Sequence, residues 1–229
     1  MQPDTLRDPL ESPAQARPLL HAWGLRDFER GWQNLTHLAE AVGPDALREL
    51  LPPLGRYLPR CPDPDMALNN LERFLTNGAQ QLPTLLEGRA RSLEVLLQLL
   101  STSQSFSDLL VANPDYLDML RVPLRRSPSA AELRDQLRSE VEAAFEDSAV
   151  LRVFRRYRQR QTLRIGTNDI IRDRPLEEIT RDLSRVADAA LEVALVVALR
   201  NVGKRFGEPF TVGGTPARSV ILAFGKHGG

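Results

Sequence analysis

The last five residues of the sequence hold three glycines, a lysine and a histidine, in the order Gly225-Lys226-His227-Gly228-Gly229. Glycines that follow a strand let the backbone approach phosphate oxygens, and backbone N–H groups beside a lysine can neutralise phosphate charge. The motif does not have the spacing of a P-loop, because neither Ser nor Thr follows Lys226. From the residues alone, a tight turn at the end of a strand is the simpler interpretation, and a phosphate-binding loop is the alternative.

A second candidate site lies in residues 148–168, which contain six arginines and no acidic residue. Arg152, Arg156, Arg160 and Arg164 are four residues apart, so a helix places them in one stripe. Such a row of guanidinium groups suits an anionic ligand, a phosphorylated or nucleotidylated partner, or an acidic protein surface. The alternative, which composition favours, is a solvated face in an arginine-biased sequence. A separate face of the same helix carries the residues suited to packing: Phe154, Tyr157, Gln161 and Ile165.

Composition argues against several other classes of site and protein. The three histidines, His21, His37 and His227, have no metal-ligand spacing, so we expect no histidine metal site. A single cysteine, Cys61, excludes a disulfide scaffold and a thiolate metal cluster, and it fits a reducing cytoplasm. The 30 basic and 30 acidic residues give zero net charge, which argues against a nucleic-acid binder that relies on bulk electrostatics.

The sequence predicts neither a membrane span nor a secretory signal. The longest nearly apolar run covers residues 189–199 and is interrupted by Glu192, whereas a spanning helix needs about 20 apolar residues. The N-terminal residues include Asp4, Asp8 and Glu11 and no apolar stretch. We therefore expect a cytoplasmic protein that binds neither membranes nor nucleic acid.

The elements that would position these residues are mostly helices. Residues 1–20 contain four prolines and predict a loose arm. Residues 21–42 predict one helix, which Gly43-Pro44 would end. The six prolines of residues 44–64 predict a linker or an irregular packed segment. Helical periodicity becomes clear from Asp65, which can cap a helix that stops at Asn77-Gly78.

Further helices follow in the second half of the chain. Ser129 and Glu132 have the spacing of a capping box. The arginine-rich helix covers residues 149–169, and Asp173 can cap a long helix that ends before Gly207. The apolar positions predicted for this long helix are Leu176, Ile179, Leu183, Val186, Ala190, Leu191 and Leu195.

After the long helix the periodicity changes, and residues 210–212 and 219–224 predict two strands. The sequence therefore predicts a mainly α fold, in which a helical bundle leads into the first strands of an α+β domain. We divide the chain into an N-terminal arm, helix and Pro-rich segment (1–64), a helical region (65–147) and the start of a further domain (148–229).

Several segments occur in an order that resembles a known family. They are ALNNLERF at 67–74, a leucine-rich run at 93–100, SFSDLL at 105–110, LRVFRRYRQRQTLRI at 151–165 and the glycine motif at 225–229. Over residues 65–229 the chain resembles the N-terminal region of the bifunctional glutamine synthetase adenylyltransferase/adenylyl-removing enzymes.

The resemblance implies a helical region followed by a nucleotidyltransferase domain of the DNA polymerase β type. The family has two such domains: the first removes AMP from a tyrosine of glutamine synthetase by phosphorolysis, and the second attaches AMP from ATP. This chain resembles the AMP-removing half. The resemblance assigns nucleotide binding to Gly225, Lys226, Gly228 and Gly229, with Mg²⁺ and ATP or ADP as cofactors. Its implied partners are glutamine synthetase and a PII-type signal protein.

The resemblance also implies that the metal-binding carboxylates lie beyond Gly229. We therefore expect no catalytic or metal-ligating residue in this chain, and no nucleotidyl transfer by this fragment alone. The alternative is a non-enzymatic helical protein-interaction module, in which Arg152, Arg156, Arg160 and Arg164 bind an anion or an acidic partner.

Overall fold

A computed structural model describes residues 11–86, 92–121, 127–144, 146–172 and 174–223 of the chain. Within these ranges the protein is mainly α-helical, as its sequence predicts. The helices are α1 (Pro13–Ala22), α2 (Phe28–Val42), α3 (Pro44–Tyr57), α4 (Pro64–Asn77), α5 (Leu82–Leu86), α6 (Ser92–Thr102), α7 (Gln104–Ala112), α8 (Leu117–Arg121), α9 (Ala130–Glu142), α10 (Asp147–Arg172) and α11 (Leu176–Phe206). Short 3₁₀ turns cover Leu58–Arg60, Ala79–Gln81 and Pro114–Tyr116.

The helices divide into two compact units. The first unit contains α1 to α8 together with the end of α10, from Gly166 onward. The second contains α9, the part of α10 up to Ile165, and α11.

A helix, α1, forms where the prolines predicted a loose arm, so the prediction for residues 1–20 is wrong from Pro13 onward. Pro13 lies in the first turn, where a backbone N–H has no helical partner, and its missing N–H therefore costs nothing. Ala16 and Leu20 are fully buried. Their burial stabilises the helix even though Pro18 removes one backbone donor from it.

The single helix predicted over residues 21–42 is interrupted. The chain turns at Gly24, whose φ of +84° is a left-handed conformation that glycine adopts without steric cost. Asp27 then caps α2, because its carboxylate accepts a hydrogen bond from the backbone N–H of Arg30 at 2.9 Å. Gly43 ends α2, as predicted.

The proline-rich segment 44–64 is helical over most of its length, which corrects the prediction of a linker or irregular segment. Helix α3 includes Pro52 and Pro53 in its interior. The fully buried residues of this segment are spaced by three or four: Leu47, Leu50, Leu54 and Leu58. The burial of this apolar stripe outweighs the backbone hydrogen bonds that the two prolines remove.

Helix α4 packs against α2, α6 and α7. Its N-cap is Asp63, which accepts a hydrogen bond from the N–H of Met66 at 2.9 Å, and not Asp65 as predicted. The Asp65 carboxylate instead accepts hydrogen bonds from the backbone N–H groups of Arg26 and Asp27, at 3.0 to 3.2 Å. These exposed bonds fix the turn before α2 to the start of α4. Because α2 also packs against α4 within the first unit, the helices before residue 65 share a core with those after it.

The second unit is built from α9, α11 and the first part of α10. Helix α9 begins with the predicted capping box: Ser129 Oγ accepts from the N–H of Glu132 at 3.2 Å, and the Glu132 carboxylate accepts from the N–H of Ser129 at 2.8 Å. All three helices contribute to the apolar core of this unit, whose buried residues are Leu133, Leu137, Val141, Val150, Tyr157, Ala189 and Val193.

The apolar positions predicted for helix α11 are confirmed in part. Ile179 is buried, and Val186 and Ala190 pack against the core of the second unit, whereas three of the predicted leucines are exposed. Leu176, Leu183 and Leu191 are 72%, 48% and 38% exposed. The buried residues of the helix are Ile179, Asp182, Ala189 and Val193. The second half of α11 has apolar residues on more than one side, so their periodicity does not by itself select the buried face. Asp173, the predicted N-cap, lies outside the described residues.

The strands predicted at 210–212 and 219–224 are absent from the described residues, which corrects that part of the predicted fold. Phe210 and Pro216 form an isolated antiparallel bridge, and residues 217–223 have no regular secondary structure. A strand needs a neighbour for its N–H and C=O groups, and no hydrogen bond joins these two segments within the described residues. No described helix has the length and apolar content needed to cross a membrane.

Candidate functional site

The four arginines of the predicted stripe lie on α10 in different surroundings. Arg152 and Arg156 are exposed, Arg160 is half-buried, and Arg164 is buried. A step of four residues turns a helix by about 400°, so each arginine is rotated by about 40° from the last and the four span about 120°. The row therefore begins on the solvent face of α10 and ends inside the second unit.

Arg160 is neutralised by Glu140 of α9. Its Nη2 lies 2.6 Å from each of the two carboxylate oxygens of Glu140. The two side chains are 25% and 29% exposed. Charge-assisted hydrogen bonds of this length are strong contacts, so Arg160 joins α10 to α9 and its charge is already compensated.

Arg164 forms a buried ion pair with Asp182 of α11. Its Nη1 lies 3.2 Å from Oδ2 of Asp182, and its Nε donates to Oε1 of Gln161 at 2.8 Å. The side chains of Arg164 and Asp182 are 9% and 4% exposed. Because a charge at such a depth requires a partner, we interpret Arg164 as a structural contact between α10 and α11.

Asp182 is the centre of this polar cluster, and the sequence analysis did not identify it. Ser127 Oγ donates to its Oδ2 at 2.6 Å, and Nη1 of Arg185 lies 3.7 Å from its Oδ1. Arg174 Nη1 donates in turn to Ser127 Oγ at 2.8 Å. One signal was available in the sequence: Asp182 follows Ile179 by three residues, which places an acid on an apolar face of a helix.

Tyr157 lies on the packed face of α10, as predicted, and is 1% exposed. Burial raises the pKa of its hydroxyl to about 12; the Glu140 carboxylate adds to the increase, while Arg164 and Arg160 oppose it. The hydroxyl therefore stays protonated at neutral pH. Tyr157 is therefore a core residue, and both its burial and its protonated hydroxyl argue against a role as a nucleophile.

The solvent face of α10 keeps uncompensated positive charge. Arg152 Nη1 donates to Ser148 Oγ at 3.3 Å, which leaves its charge unpaired. Arg155, Arg156 and Arg158 are also exposed. Across the described ranges, no carboxylate forms an ion pair with any of these four arginines.

The glycine motif, with Gly225, Lys226, Gly228 and Gly229, lies outside the described residues. Its predicted role in nucleotide binding therefore stays a prediction.

The other candidate residues have structural surroundings. In the part of the chain that the structure describes, no group of three or more His, Cys, Asp or Glu side chains could hold a metal ion. Cys61 is 7% exposed, and burial raises the pKa of its thiol, so it is a poor nucleophile. His37 Nδ1 lies 3.7 Å from Glu72 Oε1, and the ring of His21 stacks on that of Phe28.

A groove of about 320 Å³ lies between α9 and α11 of the second unit. Its apolar wall is formed by Val141, Val193, Val196 and Val197. At its rim Arg134 Nη1 lies 3.3 Å from Glu192 Oε2, and Arg138 Nε lies 3.0 Å from Glu142 Oε1. These acids and bases compensate each other, so most of the rim has no charge available for a phosphate group.

Comparison with known proteins identifies one family. A family model described as glutamate-ammonia ligase adenylyltransferase matches residues 93–229. A protein of Pseudomonas aeruginosa, named bifunctional glutamine synthetase adenylyltransferase/adenylyl-removing enzyme, is 28% identical over 236 residues, which cover 96% of this chain and 24% of that protein.

Two further relatives have the same name. The protein of Thioalkalivibrio sulfidiphilus is 27% identical over 234 residues, which cover 94% of this chain and 24% of that protein. The protein of Pseudomonas putida is 39% identical over 106 residues, which cover 46% of this chain and 11% of that protein. The chain thus spans at most about a quarter of the length of these curated relatives.

Proposed function

Because this chain belongs to the glutamate-ammonia ligase adenylyltransferase family, we propose that it forms part of a nucleotidyltransferase that controls glutamine synthetase by adding AMP to, and removing AMP from, a tyrosine. The observation that carries the proposal is the match of the family model to residues 93–229, more than half of the chain. The proposal concerns the share of that activity to which this chain contributes, since its relatives are about four times longer.

We assign this chain to the AMP-removing half of the activity. In that reaction inorganic phosphate attacks the phosphorus of the AMP group, the bond from phosphorus to the tyrosine oxygen breaks, and ADP and a free tyrosine hydroxyl leave. The assignment is supported by the order of the segments from residues 67–74 to the glycine motif, which follows the N-terminal region of the family.

We further propose that the residues after α11 lead into a nucleotidyltransferase domain of the DNA polymerase β type. Gly225, Lys226, Gly228 and Gly229 would lie against the nucleotide phosphates there, with backbone N–H groups and one ammonium group facing the negative charge. The end of helical periodicity in the sequence after residue 207 is consistent with such a change of fold.

Mg²⁺ and ATP or ADP are the cofactors that this assignment implies. The described residues do not fit a Mg²⁺ site, because they contain no suitable group of acidic side chains. A PII-type signal protein as a partner and a cytoplasmic location are proposed on the family resemblance.

A chimeric enzyme tests the proposed function. This chain replaces the matching region of the Pseudomonas aeruginosa relative, and the purified chimera is mixed with adenylylated glutamine synthetase, phosphate and Mg²⁺. We expect the tyrosine to lose its AMP group, which intact-mass spectrometry measures, and ADP to form. A folded chimera that adds AMP with ATP but never removes it would contradict the assignment to the AMP-removing half.

A matched control separates the chemistry from the fold. In the same chimera, Lys226→Ala with Gly228→Val should abolish AMP removal and leave AMP addition by the second domain intact. If the variant lost both AMP removal and AMP addition, the glycine motif would be needed for the integrity of the whole enzyme. That result would contradict a specific role of the motif in AMP removal.

The second candidate function is a non-enzymatic helical interaction module. The exposed, uncompensated arginines on α10 favour it, because they suit an acidic partner. This candidate predicts that the isolated chain binds a protein partner while the chimera fails to remove AMP.

A further inference from the structure

One side of α10 presents a compact cationic surface. We define the α10 arginine patch as Arg152, Arg155, Arg156 and Arg158 together with Leu151. All five side chains are exposed, and Leu151 is 68% exposed. The five residues lie within about 10 Å of helix length. The patch differs from the predicted stripe, because Arg160 and Arg164 already have acidic partners.

The two acidic residues nearest to the patch along the chain, Glu146 and Asp147, accept hydrogen bonds from neutral side chains, and within the described residues neither forms an ion pair with an arginine of the patch. Glu146 accepts a hydrogen bond from Ser148 Oγ at 3.3 Å. Asp147 accepts one from Asn201 Nδ2 at 3.4 Å. After these two, the sequence has no acidic residue before Asp169. The positive charge of the patch is therefore not compensated from within its own helix.

The arginines of the patch also repel one another. Arg152 has Arg155 three residues later and Arg156 four residues later, and Arg155 has Arg158 three residues later. Like charges at these spacings are neighbours on a helix surface and destabilise it. A partner with negative charge would remove this repulsion when it binds, so the free patch favours binding of such a partner.

The geometry of the patch favours a broad partner over a single phosphate group. At 100° per residue, the four arginines leave the helix over an arc of about 160°, with Leu151 inside it. Side chains that leave the helix in such different directions cannot easily converge on one phosphate group, but they can each contact a separate carboxylate on a broad protein surface. The planar fork of each guanidinium matches the two oxygens of one carboxylate.

Leu151 adds an apolar contact to this cationic surface. Arg155 and Arg158 follow it by four and seven residues and so lie beside it on the helix. Arginine is enriched in protein interfaces, and the buried core of an interface is more apolar than the rest of the surface. The combination indicates a protein partner that offers carboxylates and one apolar side chain.

Nucleic acid fits this surface less well. The chain has zero net charge and two lysines, Lys204 and Lys226, so its long-range field is weak. The aromatic residues of this stretch, Phe154 and Tyr157, pack into the core of the second unit and are not available for base stacking.

We propose that the α10 arginine patch docks an acidic protein surface, with Leu151 against an apolar side chain of the partner. The docking surface is inferred from the exposure and the unpaired charge of the four arginines and from the exposed Leu151 beside them. The identity of the partner as glutamine synthetase rests on the proposed function.

Charge reversal at two positions tests the docking surface. Arg155→Glu with Arg158→Glu is the patch variant. Arg181→Glu with Arg200→Glu is the control, because it changes the net charge equally at exposed positions on α11. Fluorescence anisotropy measures binding of each full chain to poly-L-glutamate, to glutamine synthetase and to duplex DNA, at about 50 mM and about 300 mM salt. Circular dichroism checks that each variant is folded.

We expect the patch variant to bind poly-L-glutamate and glutamine synthetase at least about tenfold more weakly than the wild type, and the control to differ less than about twofold. The defect should be smaller at the higher salt concentration, because salt screens the exposed charges. Leu151→Ser should weaken binding to glutamine synthetase and leave binding to poly-L-glutamate unchanged.

The outcomes separate this proposal from the proposed function. Equal loss in the patch and control variants, or duplex DNA bound more tightly than poly-L-glutamate, overturns the docking surface. Glutamine synthetase bound equally by the patch variant and the wild type also overturns it and leaves the proposed function standing. Patch-dependent binding of poly-L-glutamate without binding of glutamine synthetase supports the surface and contradicts the proposed partner.

Discussion

The guanidinium group of Arg164 on α10 lies 3.2 Å from the carboxylate of Asp182 on α11, and both side chains are more than nine-tenths buried. A pair of charges at this depth is expensive to form and more expensive to break. The packing of α10 against α11 therefore depends on Arg164, which its spacing had assigned to a binding stripe, and on Asp182, which the sequence analysis did not identify.

Arg164→Met tests the importance of this pair for stability. We expect the free energy of unfolding to fall by about 3 kcal/mol or more, because the buried carboxylate of Asp182 loses its closest cation. Urea denaturation measures the change. Arg156→Met, at an exposed position of the same helix, is the control and should change stability by less than about 0.5 kcal/mol.

The double variant Arg164→Met with Asp182→Leu completes the cycle. It should recover part of the loss, since it removes both buried charges together. Recovery should be incomplete, because Ser127 and Arg185 also contact Asp182. Equal stability of Arg164→Met and Arg156→Met would exclude the structural role that we assign to the pair.

Tyr157 predicts a change of stability with alkaline pH. The pKa of its hydroxyl is raised to about 12 in the folded protein, against about 10 in an unfolded chain. The folded state therefore holds the proton of the hydroxyl more tightly than the unfolded state does. The resulting contribution to the free energy of unfolding is complete below about pH 10 and is lost as the pH rises toward 12. Its full size is about 3 kcal/mol.

Tyr157→Phe removes this contribution. In urea denaturation series from about pH 9 to pH 11, the variant should lose stability less steeply than the wild type. Identical slopes for the wild type and Tyr157→Phe would show that the hydroxyl is not held in its neutral form.

Two glycines predict opposite effects of the same substitution. A Cβ at Gly78 would lie 2.5 Å from Cβ of Pro114 and 3.2 Å from the backbone oxygen of Phe74. Neither a proline ring nor a backbone oxygen can move away easily, so Gly78→Ala should destabilise the protein by about 1 to 3 kcal/mol.

Gly203 is the counterpart, because a Cβ there would meet no atom within 4 Å. Gly203 lies within α11, and alanine is the better helix former, so Gly203→Ala should stabilise the protein by up to about 1 kcal/mol. Thermal unfolding of both variants measures whether the midpoint temperature falls for Gly78→Ala and rises for Gly203→Ala, as we expect. Destabilisation by both substitutions would mean that helix propensity is outweighed even at the open position.

Sequence patterns predicted those elements whose causes are local. The capping box of Ser129 and Glu132 needs two side chains and one turn of backbone, and it forms as predicted. The end of α4 at Asn77 was predicted for a similar reason. Tyr157 was assigned to the packed face of α10, because packing there follows the helical repeat.

The errors arose where burial outweighed local preference. Pro52 and Pro53 predicted a break, yet the buried leucines around them keep α3 helical. Asp65 has the right spacing to cap α4, but its carboxylate binds the backbone before α2, and Asp63 is the cap instead. In both cases the deciding contacts are made with residues that are distant in the sequence, which a local pattern does not encode.

The sequence by itself determined a mainly helical protein, the capping box of Ser129 and Glu132, an arginine-rich helix and the resemblance to one family of enzymes. These properties depend on residue type and short-range spacing. Only the tertiary structure decided which face of α11 is buried and which arginines keep a free charge. Glu140 and Asp182 neutralise Arg160 and Arg164 from other helices, and no spacing within α10 encodes the position of those two acids.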